Sequence, residues 1–342
     1  MNFHLRNFSK KIDADIQAGL PLVGNTYSTP KFHFTQKAAY AFATRFYLYY
    51  QDYDKAIDYA TKVLGDNPAS QLRDWAGLSS LSMNDQVQPE AYVNSGNNAN
   101  LLLQTAYSKW GAVGGPYSYG DRYAHGKVLA TTETLQAAGP WGSNTGFNYK
   151  VFNNSALSKY ILRKIPYEFE YTDLQAEIGF SHSIFSAFNT DMLLMDRAEA
   201  YALKGEYQKA VDDVNTELSV FSKRNVTLSV DGIKEYYKGI KYYTPKEPTV
   251  KKALHPAFTI DAETQEPVLQ CILQLKRILS MHEGLRMQDV KRYGIVIYRR
   301  TLNKNDEILD VTDSLTVDDP RRAIQLPQDV INSGLEANPR TK

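Results

Sequence analysis

Cysteine is almost missing from the 342 residues: Cys271 stands alone, so no intramolecular disulfide can tie the chain. It lies in the apolar run VLQCILQL, where a thiol packs and does not react. No stretch of roughly 18 apolar residues occurs, and no segment reads as a membrane-spanning helix. Nor is there an excess of one charge, because 39 Lys and Arg face 38 Asp and Glu for a net charge of +1. That balance gives no electrostatic reason for nucleic acid as the main partner. Cofactor motifs are absent too. The segment GAVGGP lacks the Lys-Ser/Thr of a phosphate-binding loop and the G-x-G-x-x-G spacing of a dinucleotide fold. No G-x-S-x-G elbow occurs. His282-Glu283 has no second histidine at zinc spacing, and His125, His182 and His255 stand isolated, so neither metal nor cofactor is expected.

What is present begins with tyrosine, 24 against 14 Phe, an excess suited to rings held at a wet surface. The stretch Asn189 to Leu218 reads as a helical hairpin. Leu193, Leu194, Ala198, Tyr201 and Ala202 lie on one helix face, and Gly205 stops that helix. Tyr207, Ala210, Val211, Val214 and Leu218 stripe the next. The pattern is that of a tetratricopeptide (TPR) hairpin, usually about 34 residues. Lys37 to Leu64 repeats it at a constant offset of 154 residues, 53 to 207 and 64 to 218. Copies so far apart are no tandem array in sequence, and something large sits between them.

The hairpins fall at 35–65 and 189–219. Ahead of them, Lys10 to Ala18 reads as a helix end closed by Gly19 and Pro21, and Thr35 is placed to cap the next helix. Between them, 66–183 reads as short strands and loops holding Trp75, Trp110 and Trp141, every tryptophan of the chain. Loops of this kind on a helical scaffold tend to carry binding residues. Beyond the second hairpin come a short helix at 231–241, one helix from Glu266 to Gly294, and a polar tail, so 266–342 forms a C-terminal helix and tail.

The segments KAAYAFATRFYLYYQDYDKAIDYATKVLG, LMDRAEAYALKGEYQKAVDDVN, RILSMHEGLRMQDVKRYG and AIQLPQDVINSGLEANP occur in this order. Together with Leu326, Pro327, Asn338 and Pro339 near the end, they resemble the SusD/RagB family of outer-membrane glycan-binding lipoproteins over nearly the whole chain. The resemblance implies a single, mainly α domain: a TPR-like hairpin scaffold with an irregular, loop-rich lobe packed on it. It further implies a lipid-anchored, extracellular-facing protein that holds oligosaccharide or polysaccharide above a TonB-dependent (SusC-like) outer-membrane transporter. Members of the family are longer, so the sequence reads as N-terminally truncated, and Cys271 cannot be the anchoring cysteine.

In the family the glycan lies on aromatic side chains of the irregular lobe. Sugar recognition needs flat apolar faces for the C–H side of the ring and polar side chains for its hydroxyls. Trp75, Trp110, Tyr117, Tyr119, Tyr123 and Trp141 are candidates for the first, and Asn97, Asn98, Asp121 and Arg122 for the second. Catalysis is not expected. Glu283, Arg286, Asp289 and Arg292 recur every third residue as a ladder of ion pairs. Interleaved arginines keep both carboxylates ionised, whereas a glycosidase needs one with a raised pKa. The rival readings are a TPR-type protein-interaction scaffold and, lower, a glycoside hydrolase.

Overall fold

The computed structural model describes residues 3–83, 86–111, 124–143, 146–154 and 158–340. A helix spans Phe3–Gly19, and the first hairpin follows as helices Gln36–Tyr50 and Tyr53–Leu64. The Thr35 hydroxyl accepts from the Ala38 amide, and Asp52 accepts from Lys55, so both helices start on side-chain caps. The reversal needs a left-handed residue, and Gln51 (φ 67°) supplies it without a glycine. In the second hairpin, helix Thr190–Leu203 starts on Asn189, which accepts from the Met192 amide at 2.9 Å. Gly205 (φ 82°) turns the chain into helix Tyr207–Phe221.

The two hairpins, distant in sequence, lie side by side. Ala39, Ala43 and Ala56 of the first share one cluster with Ala200 of the second, small residues that let the backbones approach. Arg197 clamps the contact, paired with Asp213 at 2.9 and 2.7 Å and donating to Thr61 Oγ1 at 3.1 Å. Against the second hairpin lies helix Gln265–Leu279, whose Leu269, Ile272, Leu273 and Ile278 enter the main core with Cys271. Its Lys276, buried, holds Asp196 at 2.8 Å and Glu199 at 2.7 Å.

The single helix expected over Glu266 to Gly294 is divided. It ends at Leu279, and a short helix resumes at Arg286–Arg292. Between them His282 (φ 66°) and Gly284 (φ 77°) are left-handed and cannot continue a helix. The ion-pair ladder is broken with it. Arg286 and Asp289 keep their contact at 3.4 Å, but Glu283 pairs with Lys164 and Arg292 with Glu199, both at 3.3 Å.

The lobe is more regular than the sequence suggests. Strand β1 (Asn100–Tyr107) pairs antiparallel with β6 (Ile178–Asn189), which pairs with β5 (Glu168–Asp173). A smaller sheet orders β2 (His125–Gly126), β4 (Lys159–Leu162) and β3 (Val151–Asn154). Strand β6 runs directly into the Asn189 cap, so sheet and second hairpin are continuous. Arg73 stitches the other end of the lobe: its guanidinium donates to the Tyr92 carbonyl and Asn100 Oδ1, both at 2.9 Å, and its amide to Asp191 at 3.2 Å.

The tail carries a β7–β8 hairpin (Ile297–Leu302, Ile308–Leu315). Asn338 gives the terminal motif a physical role, because its amide donates to Gln325 Oε1 at 2.9 Å and its side chain to the Ile324 carbonyl at 2.7 Å. Those two bonds close the tail loop around Leu326 and Pro327.

Candidate binding cleft

Two cavities, of about 780 and 670 Å³, meet at Phe185 and Glu283. The first is floored by Leu102 to Ala106 of β1 and Phe185 to Ala187 of β6. One wall is the turn Pro30–Phe32 with Phe34, both rings more than a third exposed. Lys31 fixes that wall by donating to the Asn98 carbonyl at 3.4 Å and to the Asn100 carbonyl, at the start of β1. Phe34 leans edge-on against Phe42, which meets Phe188 of β6.

The opposite wall is polar. Glu283 accepts from the Tyr92 hydroxyl at 2.7 Å and from Lys164 at 3.3 Å, and Lys164 also donates to the Leu279 carbonyl. Burial pushes the Lys164 ammonium below its ordinary range, and burial with the neighbouring Glu283 pushes the Tyr92 hydroxyl well up. The cleft therefore offers aromatic faces on one side and fixed hydrogen-bonding groups on the other.

The second cavity is walled by Trp110, Met281 and Met287 with His125, His282, Arg277 and Arg286. Thr134 donates to the Leu129 carbonyl, so its oxygen accepts from His125 Nδ1 at 2.8 Å. His282 Nε2 accepts from the Leu162 amide at 3.2 Å. Burial drives both imidazoles down, His125 to about 3 and His282 to about 4, so both are neutral at pH 7.

Of the residues expected to face a ligand, Trp110 lines this second cavity. Trp75 and Trp141 do not fit that role, since they are only 3 % and 4 % exposed. The Trp75 indole donates to Asp191 at 3.1 Å and packs edge-on against Phe221, while Trp141 packs on Phe147. Both rings join the lobe to the hairpins. Asn97 accepts from the Ala99 amide at 3.1 Å and shapes the turn before β1, and exposed Asn98 offers its carbonyl to Lys31. Tyr117, Tyr119, Asp121, Arg122 and Tyr123 lie outside the described residues. Unforeseen were Phe32, Phe34 and Phe185, which come from a turn and a strand that tertiary contacts bring together. Among the described residues no cluster of His, Cys, Asp and Glu could hold a metal ion, and no helix is long and apolar enough to cross a membrane.

Hairpin scaffold, lobe and open cleft define a mainly helical protein with a large surface cleft. A SusD-like family model, described as "Starch-binding associating with outer membrane", matches residues 5–48. No curated protein matches the sequence. A SusD-like protein from Bacteroides fragilis superposes with a TM-score of 0.55 at 15% identity, over 97% of this chain and 70% of that one. SusD superfamily proteins from Bacteroides thetaiotaomicron (TM-score 0.53, 18% identity, 97% and 66%) and Bacteroides vulgatus (0.52, 17%, 98% and 65%) superpose similarly. The chain spans 55% of the length of a further SusD-like carbohydrate binding protein from Bacteroides vulgatus. The fold is thus similar to that of these SusD superfamily proteins: it is the mainly helical, TPR-like one that the resemblance implied.

Proposed function

We propose that this protein binds an oligosaccharide without catalysis, at the outer face of the bacterial outer membrane, and presents it to a TonB-dependent transporter for uptake. The observation that carries the reading is the double cleft. Phe32, Phe34, Phe185 and Trp110 give it apolar faces, and Gln104, Ser186, Lys164 and Glu283 give it hydrogen-bonding groups, within a volume that suits several sugar rings. The family description, starch binding with outer-membrane association, supports both ligand class and location. Glu283 supports the non-catalytic part, being held by Tyr92 and Lys164 instead of standing as a free acid. On composition alone, Tyr117, Tyr119, Tyr123, Asp121 and Arg122 remain further candidates for ligand contact.

Affinity electrophoresis in gels containing a broad panel of polysaccharides tests the reading. At least one polymer is expected to retard the protein, and Trp110→Ala and Phe185→Ala to weaken that retardation severalfold with the circular dichroism spectrum unchanged. A folded protein that no polysaccharide retards would overturn it. Capture of an outer-membrane β-barrel transporter by the tagged protein tests the uptake partner.

A further inference from the structure

The second cavity carries more positive than negative charge in its wall. Arg277, 17% exposed at its side chain, has Glu133 as its carboxylate at 3.0 Å, but Glu133 also answers Lys252 at 2.6 Å and Arg300 at 3.8 Å. Arg286, 23% exposed, makes one stretched bond of 3.4 Å, to Asp289, and Asp289 in turn lies 3.7 Å from Lys276. The carboxylate on the cavity's rim, Glu283, is already neutralised by Lys164. Both histidines of the wall are uncharged. Burial first, and the neighbouring Arg277 second, push the Arg286 guanidinium down to about 10, while Asp289 and Glu133 oppose the shift. An independent feature borders the same space: Ser280, 3% exposed, is one of its lining residues and has a buried hydroxyl with no hydrogen-bond partner.

We infer that this cavity holds an oxyanion carried by the glycan, a uronate carboxylate or a sugar sulfate. Arg286 and Arg277 would neutralise the anion, the Ser280 hydroxyl would donate to it, and Trp110 would cover the apolar face of the same ring. The inference rests on the glycan-binding reading and names its ligand class. A guanidinium fork suits the oxygens of either group, and an anion here relieves the repulsion between the two arginines.

The test is affinity electrophoresis of the full chain against polygalacturonate, alginate, hyaluronan and dextran sulfate, each beside a neutral comparison (methyl-esterified pectin, dextran, starch). At least one acidic polymer is expected to bind about tenfold or more tighter than any neutral one, and whether it bears carboxylate or sulfate identifies the oxyanion. Its retardation should fall with added NaCl. Arg286→Gln should remove the preference, and Arg286→Lys, which keeps the charge, should retain most of it. If Arg286→Gln fails to fold, the same comparison with Ser280→Ala is expected to lose part of the preference. Retardation by neutral polymers alone would overturn the inference and leave the glycan reading standing. Failure of every polymer, acidic and neutral, would remove both, and an acidic preference untouched in Arg286→Gln would place the anion elsewhere.

Discussion

Glu217 is fully buried in helix Tyr207–Phe221, and neither carboxyl oxygen has a hydrogen-bond partner. Burial first, and the nearby Asp191 second, raise its pKa well above the ordinary carboxylate range. The folded protein therefore holds this proton more tightly than the unfolded chain does. Its stabilising contribution is complete below the unfolded pKa of about 4.3 and is lost as the pH rises through the folded value. Glu217→Gln is expected to leave stability nearly unchanged at pH 4 and to raise it by about 1–3 kcal/mol at pH 8. Urea unfolding at the two pH values checks this, and an equal effect at both would contradict it. Cys271 gives a simpler case. It is buried and burial pushes its thiol far up, so a thiol reagent should leave the native protein untouched and react fully once guanidinium unfolds it. The tryptophans show what single residues conceal. Trp75, Trp110 and Trp141 each have a glycine one or two residues on in the sequence, Gly77, Gly111 and Gly142, yet two close the core and one lines a cavity. Which is which depends on Phe221 and Phe147, partners that no local pattern reveals.

At the scale of elements, helices such as Tyr53–Leu64 and Tyr207–Phe221 were legible because one face lies against the core and the 3.6-residue period survives there. Thr190–Leu203, by contrast, is buried on nearly every side and was legible from its glycine stop and its repeat of the first hairpin. Of the helix starts, Thr35 was legible as a cap, and Asp52 and Asn189 cap the next helices with side-chain oxygens in the same way. Asn189→Ala should cost about 1 kcal/mol, and Asn189→Asp much less, measured by denaturant midpoint. The break at Ser280 to Leu285 was not legible. SMHEGL holds good helix formers and a single glycine, and the left-handed turn at His282 is stabilised by a bond from Leu162, 120 residues away. Because Gly284 is left-handed with open space where a Cβ would go, Gly284→Ala should cost about 1 kcal/mol of backbone strain without a clash. A larger loss by the same measurement would mean the loop is held more tightly than its surroundings indicate.

For the molecule as a whole, the lobe and scaffold share one hydrophobic core. Trp75, Leu101, Leu103 and Trp141 of the lobe pack in the same cluster as Leu193, Val211 and Leu273 of the helices. Heat should therefore unfold the chain in one cooperative transition, with calorimetry and far-ultraviolet circular dichroism coincident. Two resolved transitions would show that the lobe is a separate unit. The order of segments made the fold class readable from sequence. The cleft was not, since its walls come from residues near 32, 104, 164, 185 and 283, which only the folded chain assembles.

The neighbouring positions of the two hairpins have one more consequence. The chain leaves the first at Leu64 and re-enters the second at Thr190, and the two points are tied by Thr190 donating to the Gln71 carbonyl at 2.7 Å. The lobe is thus an insertion between what are, in space, neighbouring hairpins. Closing a longer loop between fixed anchors costs little, only about 0.6 kcal/mol for each doubling of length. Such a graft point lets the loops of the lobe be lengthened, shortened or rewritten while the hairpins beneath keep their register.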